Sequence, residues 1–338
     1  MTAEAAPPPP GEQGRTLLYR DAVNEALRQE MARDPSVFCI GVGIGERGGS
    51  YQITRGLLDE FGPKRVIDTP IAEPSIVGAG VGAAITGMRP VVEVLFIDFT
   101  LLTMDQVVNQ AAKFRLMSGG KGSVPLVLRT QGGVGDSVAA QHSQSLEALF
   151  YHIPGLKVAI PSTPYDAKGL LASAIRDDDP VIFIEHKLLY MTEGPVPEEE
   201  YAIDLGVADI KRPGRDCTLI AWSNMVPRSL EAAELLAAEG IEVEVIDPRN
   251  LVPLDREAIL ESVRRTEHVV IVQEAVRRGG VASDIASIIQ AEAFDYLDAP
   301  VEIVAGRNTP IPFSRNLEQA CIPQVDDILA AVRRAVYA

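Results

Sequence analysis

Two residues have the type and placement to move protons. His142 lies in Ala139-Ala140-Gln141-His142-Ser143-Gln144, directly after Gly132-Gly133-Val134-Gly135-Asp136. The residues before that run, 124–130, read as a buried strand, and a helical pattern starts at Ser145. Open α/β sheets keep their ligands between a strand's carboxyl end and the next helix. An imidazole placed there can donate or accept near neutral pH; the plainer alternative is a histidine that caps the helix or satisfies the loop. Glu73 has the same setting, after Val66-Ile67-Asp68 and before Pro74-Ser75. Its carboxylate is either a chemical group or a helix-end charge that stabilises by ~0.3–1 kcal/mol. The helix that follows contains Gly78, Ala79, Gly80, Gly82, Ala83 and Ala84. The glycines cost helix propensity and the small residues allow close approach, so this helix is expected to pack tightly against something. Phe96 and Phe99, where another strand enters a loop, are candidates to line a ring-binding pocket or are two core phenylalanines. Gly41-Val42-Gly43-Ile44-Gly45 superficially suggests a phosphate loop. It lacks Gly-x-Gly-x-x-Gly spacing and a Walker lysine, so nucleotide binding is discounted.

The elements that must position these residues alternate. Helices are expected over 19–32, 54–61, 75–87 and 101–117, with strands at 37–40, 66–68, 90–96, 124–130 and 181–185. Continuous apolar strands between helices indicate parallel sheets covered on both faces. The stretch Gly194-Pro195-Val196-Pro197-Glu198-Glu199-Glu200 reads as a linker. A second α/β unit follows, with strands at 217–222, 241–246 and 269–272 and helices at 228–239, 256–265 and 280–293. The reading is two doubly wound α/β domains over 15–192 and 206–338, joined by 193–205. Residues 1–14, with Pro7–Pro10, are expected to be a disordered arm.

A chain of 338 residues suggests two domains. A formal charge of −16, without a block of like charge, argues against nucleic acid and anionic membranes as partners. No apolar run reaches membrane-spanning length. Cys39, Cys217 and Cys321 lie far apart, without metal spacing, and no signal peptide is seen; a cytoplasmic location is expected.

Several motifs together resemble one family. They are Ile67-Asp68-Thr69-Pro70-Ile71-Ala72-Glu73, Asp105-Gln106, Asn109-Gln110-Ala111-Ala112-Lys113, Met117-Ser118-Gly119-Gly120, Ala140-Gln141-His142-Ser143-Gln144, Pro154-Gly155-Leu156-Lys157-Val158 and Asp247-Pro248-Arg249-Asn250-Leu251-Val252-Pro253. The chain resembles the beta subunit of thiamine diphosphate-dependent 2-oxo acid dehydrogenases over roughly residues 16–337. Glu185-His186-Lys187-Leu188-Leu189-Tyr190 is more similar to the acetoin and broad 2-oxo acid members than to the mitochondrial pyruvate enzymes.

The resemblance implies a transketolase-like pyrimidine-binding domain followed by a transketolase C-terminal-like domain. It implies that Glu73 hydrogen-bonds N1′ of the cofactor's aminopyrimidine, with Leu95 and Phe99 as pocket walls. It implies that His142 touches the cofactor and assists proton movement and acyl transfer to lipoamide. A potassium ion is implied on main-chain oxygens of Leu126, Ala174, Asp177 and Asp179, although Arg176-Asp177-Asp178-Asp179-Pro180 is equally a solvated acidic turn. The motif that holds the diphosphate through magnesium begins Gly-Asp-Gly and ends Asn-Asn. This chain has Gly135-Asp136-Ser137 instead. The diphosphate and Mg2+ therefore fall to an alpha subunit in an α2β2 assembly, with a dihydrolipoyl acyltransferase core as the further partner. Gly41-Val42-Gly43 stands where the family usually has Gly-Glu-Asp, which removes acids proposed to link active sites. Gln273-Glu274-Ala275 replaces a common His-Glu-Ala. The competing readings are half of a transketolase-like or synthase enzyme that does not use lipoamide, and a non-catalytic scaffold subunit, which retention of Glu73 and His142 disfavours.

Overall fold

The computed structural model describes residues 15–337; the expected N-terminal arm lies outside the described residues. The chain opens with β1 (Arg15–Leu18) and runs directly into α1 (Tyr19–Arg33), whose apolar face (Tyr19, Val23, Leu27, Met31) is buried. Next come β2 (Val37–Gly41), α2 (Leu57–Phe61), β3 (Val66–Asp68), α3 (Glu73–Ile85) and β4 (Arg89–Val94). After β4 the chain winds through a 3-10 helix at Ile97–Thr103, a π-helix at Asp105–Ala111 and α4 (Ala112–Met117). Then follow β5 (Val127–Gly132), α5 (Glu147–Tyr151), β6 (Lys157–Ala159), α6 (Pro164–Arg176), β7 (Val181–His186) and β8 (Glu193–Val196). The second half contains β9 (Asp209–Arg212), β10 (Cys217–Ala221), α7 (Met225–Ala237), β11 (Val243–Asp247), β12 (Asn250–Val252), α8 (Arg256–Thr266) and β13 (Val269–Val276). It closes with α9 (Val281–Glu292), β14 (Glu302–Gly306), α10 (Arg315–Gln319) and α11 (Val325–Val336).

The strands form two α/β sheets. The first has order β12-β6-β7-β5-β4-β2-β3, and the second β14-β13-β10-β11-β9. β2, β5 and β7 are buried at every residue, as a parallel strand covered on both faces must be. Both sheets are parallel except at one edge, where β12 and β9 run antiparallel. β12 comes from the second half of the chain yet completes the first sheet. The segment before β9 is not a free tether: β8 pairs with β1, and the buried Lys168 ammonium takes the carbonyls of Pro197 (2.7 Å) and Glu199 (2.9 Å). Among the described residues no helix is long and apolar enough to cross a membrane.

Local chemistry explains where elements depart from the sequence pattern. α3 starts at Glu73, two residues earlier than expected, because Pro74 is tolerated in a first turn whose N–H groups have no helical partner. The expected helix over 101–117 is instead three short pieces. The hydroxyls of Thr100 and Thr103 donate to the carbonyls of Ile97 (2.5 Å) and Thr100 (2.7 Å), favouring the tighter turn. The expected helix over 54–61 shrinks to α2, because Gly56 is left-handed (φ 80°) at its start.

Candidate active site

Four strand ends of the first sheet supply the site. β3 leads to Glu73, β4 to Leu95, Phe96 and Phe99, β5 to the loop bearing His142, and β7 to His186 and Lys187. In a parallel sheet these carboxyl ends share one edge, so residues far apart in sequence face a common region. His142 stands edge-on to two aromatic rings. Its centroid is 4.8 Å from Phe96 and 5.2 Å from Phe99, with interplanar angles of 81° and 84°. Phe99 is thus half-buried against His142 rather than lost in the core, and Leu95 is half-buried beside it in sequence. α3 packs against the 3-10 helix that carries Phe99, which brings Glu73 to the same edge.

Glu73 is half-buried in the first turn of α3, and among the described residues no hydrogen bond or ion pair engages its carboxylate. Buried polar atoms without partners lie on the same segments: Thr69 Oγ1, Asp98 Oδ2, Gln106 Oε1 and Ser143 Oγ. Leaving such atoms unpaired costs free energy, so each is a candidate to gain a partner when a polar group binds at this edge. Gly78, with only Gln106 Cγ 3.5 Å from an added Cβ, leaves room beside them.

The loop from Gly133 to Ser145 is held from outside. Asp98 Oδ1 accepts from the Gln144 side chain (2.7 Å), and the Lys187 ammonium donates to the His142 carbonyl. Burial lowers the Lys187 pKa against the pull of Asp98, Asp136, Glu318 and Glu274. The Val134 N–H donates to Glu274 Oε1 at 2.7 Å and the Gly135 N–H to Glu318 Oε1 at 3.1 Å. Sequence reasoning singled out His186, Lys187 and Glu274 only as positions in motifs and missed Glu318. Their contacts span 45 to 183 residues, so nothing local signals them.

The four positions expected to hold potassium sit at the opposite, amino edge of the sheet, far from any role with Glu73 or His142. The Leu126 carbonyl accepts from Val181 N–H (2.9 Å), and that of Asp177 from Arg89 Nη1 (2.9 Å). The Asp177 and Asp179 carboxylates pair with Lys157 (2.5 Å) and Arg115 (2.6 Å). Each carbonyl keeps a second lone pair, but cationic side chains already neutralise this acidic turn. Among the described residues no three His, Cys, Asp or Glu side chains gather as metal ligands. A cavity of about 840 Å³ lies elsewhere, between the halves of the chain around Tyr165, Asp209, Lys211 and Arg249.

Comparison with known proteins gives two family matches that together span most of the chain. The transketolase pyrimidine binding domain matches residues 15–193, and the transketolase C-terminal domain matches residues 206–328. The acetoin:2,6-dichlorophenolindophenol oxidoreductase subunit beta of Cupriavidus necator is 51% identical, over 95% of this chain and 98% of its own. The pyruvate dehydrogenase E1 component subunit beta of Rickettsia felis is 47% identical over 95% of this chain and 98% of its own. The mitochondrial pyruvate dehydrogenase E1 component subunit beta-2 of Oryza sativa subsp. japonica is 46% identical over 96% and 87%. Among solved structures, a split-gene transketolase described as an inactive beta4 tetramer superposes with a TM-score of 0.77 over 95% of this chain and 98% of that one. At 24% identity that likeness concerns the fold alone.

Proposed function

The chain belongs to the beta-subunit family of the thiamine diphosphate-dependent pyruvate and acetoin dehydrogenases, and from that premise we propose how its residues share the work. Glu73 holds a proton at N1′ of the aminopyrimidine, Leu95 and Phe99 wall that ring, and His142 serves acyl transfer to lipoamide. The observation that carries this reading is the convergence of His142, Phe96 and Phe99 at the strand ends where the unpartnered Glu73 carboxylate also lies. When bound, the cofactor supplies a ring that accepts the electrons released from the substrate. The protein's part is placement. A carboxylate without a protein partner is free to bond the ring nitrogen. Phe96 and Phe99 pack edge-to-face with the imidazole and fix its place, and an imidazole exchanges protons near neutral pH.

The diphosphate and its Mg2+ belong, in this proposal, to an alpha subunit in an α2β2 assembly, because Gly135-Asp136-Ser137 supplies no diphosphate motif. A dihydrolipoyl acyltransferase core would then receive the acyl group. Titration calorimetry and a reconstituted assay test the division. The chain alone is expected to bind thiamine diphosphate weakly and to show no decarboxylation or acetoin cleavage, with both appearing once alpha subunit is added. Tight, Mg2+-dependent binding by the lone chain overturns it.

Potassium at Leu126, Ala174, Asp177 and Asp179 rests on resemblance without help from the charges around it. If the ion binds, melting temperature rises in KCl over NaCl at equal ionic strength. Equal melting in the two salts returns the segment to a salt-bridged turn.

A further inference from the structure

The strongest feature outside the cofactor pocket is a carboxylate that the second half of the chain inserts beneath the His142 loop. Glu274 lies near the carboxyl end of β13, is 9% exposed, and accepts on both oxygens. Oε1 takes the Val134 N–H (2.7 Å) and the Ser145 hydroxyl (3.2 Å), one at each end of the loop. Oε2 takes His186 Nε2 (2.9 Å) and the Asn224 amide (3.4 Å). The Leu188 N–H donates to His186 Nδ1 (3.1 Å), so the ring hydrogen sits on Nε2 and points at Glu274. Burial opposes ionisation of this carboxyl, yet His186, the Val134 N–H and the Asn224 amide, all donating to it, hold its pKa below the usual carboxylate range. Gly133 has no room for anything else: an added Cβ would lie 2.0 Å from His186 Nε2 and 2.7 Å from Glu274 Oε1.

The loop needs such a hold. Asp136, Ser137 and Ala139 all have φ between 54° and 65°, a region that side chains other than glycine avoid unless their surroundings enforce it. The loop's own backbone gives little support beyond Gly133 N–H to the Gln144 carbonyl (2.9 Å) and His142 N–H to that of Ala139 (3.3 Å).

We propose that Glu274 is a positioning residue, a clamp through which the C-terminal domain fixes the His142 loop, so that His142 is placed for chemistry only while the two domains are docked. The catalytic half of this proposal rests on the reading of His142 given above; the clamp itself does not. Hydrogen–deuterium exchange of the complex reconstituted with alpha subunit measures the clamp directly. Glu274→Gln keeps the volume but has one acceptor oxygen for two sides, and Glu274→Ala has none. In either variant, peptides covering 133–145 exchange faster while β5 and β10 are unchanged. Unchanged exchange in that loop overturns the clamp, and if Glu274→Ala does not fold the glutamine variant decides. Kinetics then tests the consequence. Misplacing a catalytic group by about 1 Å can cost roughly 10²-fold. Glu274→Gln is therefore expected to lower lipoyl-dependent turnover by roughly 10–10²-fold, with far less loss when an artificial electron acceptor is used. Combined with His142→Ala it should add almost nothing, since both act through one imidazole. Multiplying losses make Glu274 merely structural. A harmless His142→Ala sinks the reading of His142 and leaves the exchange result to judge the clamp.

Discussion

At the scale of single residues, Glu73 and His142 differ in how they are held. Glu73 opens a helix and its carboxylate makes no hydrogen bond or ion pair among the described residues, whereas His142 rides a strained loop and packs against two rings. The difference makes Glu73 the sharper test of cofactor chemistry. In the reconstituted complex, Glu73→Gln is expected to keep the fold and lose roughly 10²–10⁴-fold in activity, the usual cost of a lost proton-transfer group. Exchange of the cofactor's C2 hydrogen, followed by NMR, should slow in parallel. Wild-type exchange in the mutant would make Glu73 a helix-end charge and nothing more.

At the scale of elements, α3 separates two uses of small residues. Gly80 faces the sheet: an added Cβ would lie 2.5 Å from Val92 Cγ2 and 3.2 Å from Leu126 Cδ1. Gly82 faces outward, with nothing within 4 Å. The expectation of tight packing therefore holds for one face of the helix within this chain. Gly80→Ala is predicted to destabilise by about 1–3 kcal/mol through overpacking. Gly82→Ala should stabilise the isolated chain by up to about 1 kcal/mol through helix propensity. Denaturant midpoints of the two variants check this; a stable Gly80→Ala would mean that α3 can lift from β4. The broken helix after β4 has the opposite logic. Its threonines trade regular bonding for a tight turn that holds Phe99 against His142.

At the scale of the molecule, the two halves share one core. Phe150, Val158, Ile160 and Ile184 of the first half pack in a continuous apolar cluster with Trp222, Leu251, Ile259 and Ile285 of the second. β12 crosses over to pair with β6, and the Ile160 N–H donates to the Arg249 carbonyl (2.8 Å). Trp222 Nε1 donates to the buried carboxylate of Glu147 (3.2 Å), and Arg249 reaches Asp166 at 2.7 Å. Separating the halves would expose that cluster and strand those charges, which is costlier than leaving either half intact could repay. Calorimetry is therefore predicted to show a single unfolding transition, with van't Hoff and calorimetric enthalpies agreeing. Two resolved transitions would show the halves to be independent.

The sequence by itself determined the alternation of strand and helix, because apolar runs between helical patterns are a local property that burial then enforces. It also determined that Glu73, Phe99 and His142 follow strands, and a parallel sheet necessarily gathers such residues at one edge. The family follows from motifs spread along the whole chain. What only the tertiary structure decided is what holds those residues. Glu274 and Glu318 reach the His142 loop from 140 and 183 residues away, β12 joins a sheet built by the other half, and α3 hides Gly80 while showing Gly82. None of these has a period or a neighbour in sequence. Each is a pairing of distant groups that acquires meaning only once the chain has closed and water has left the space between them.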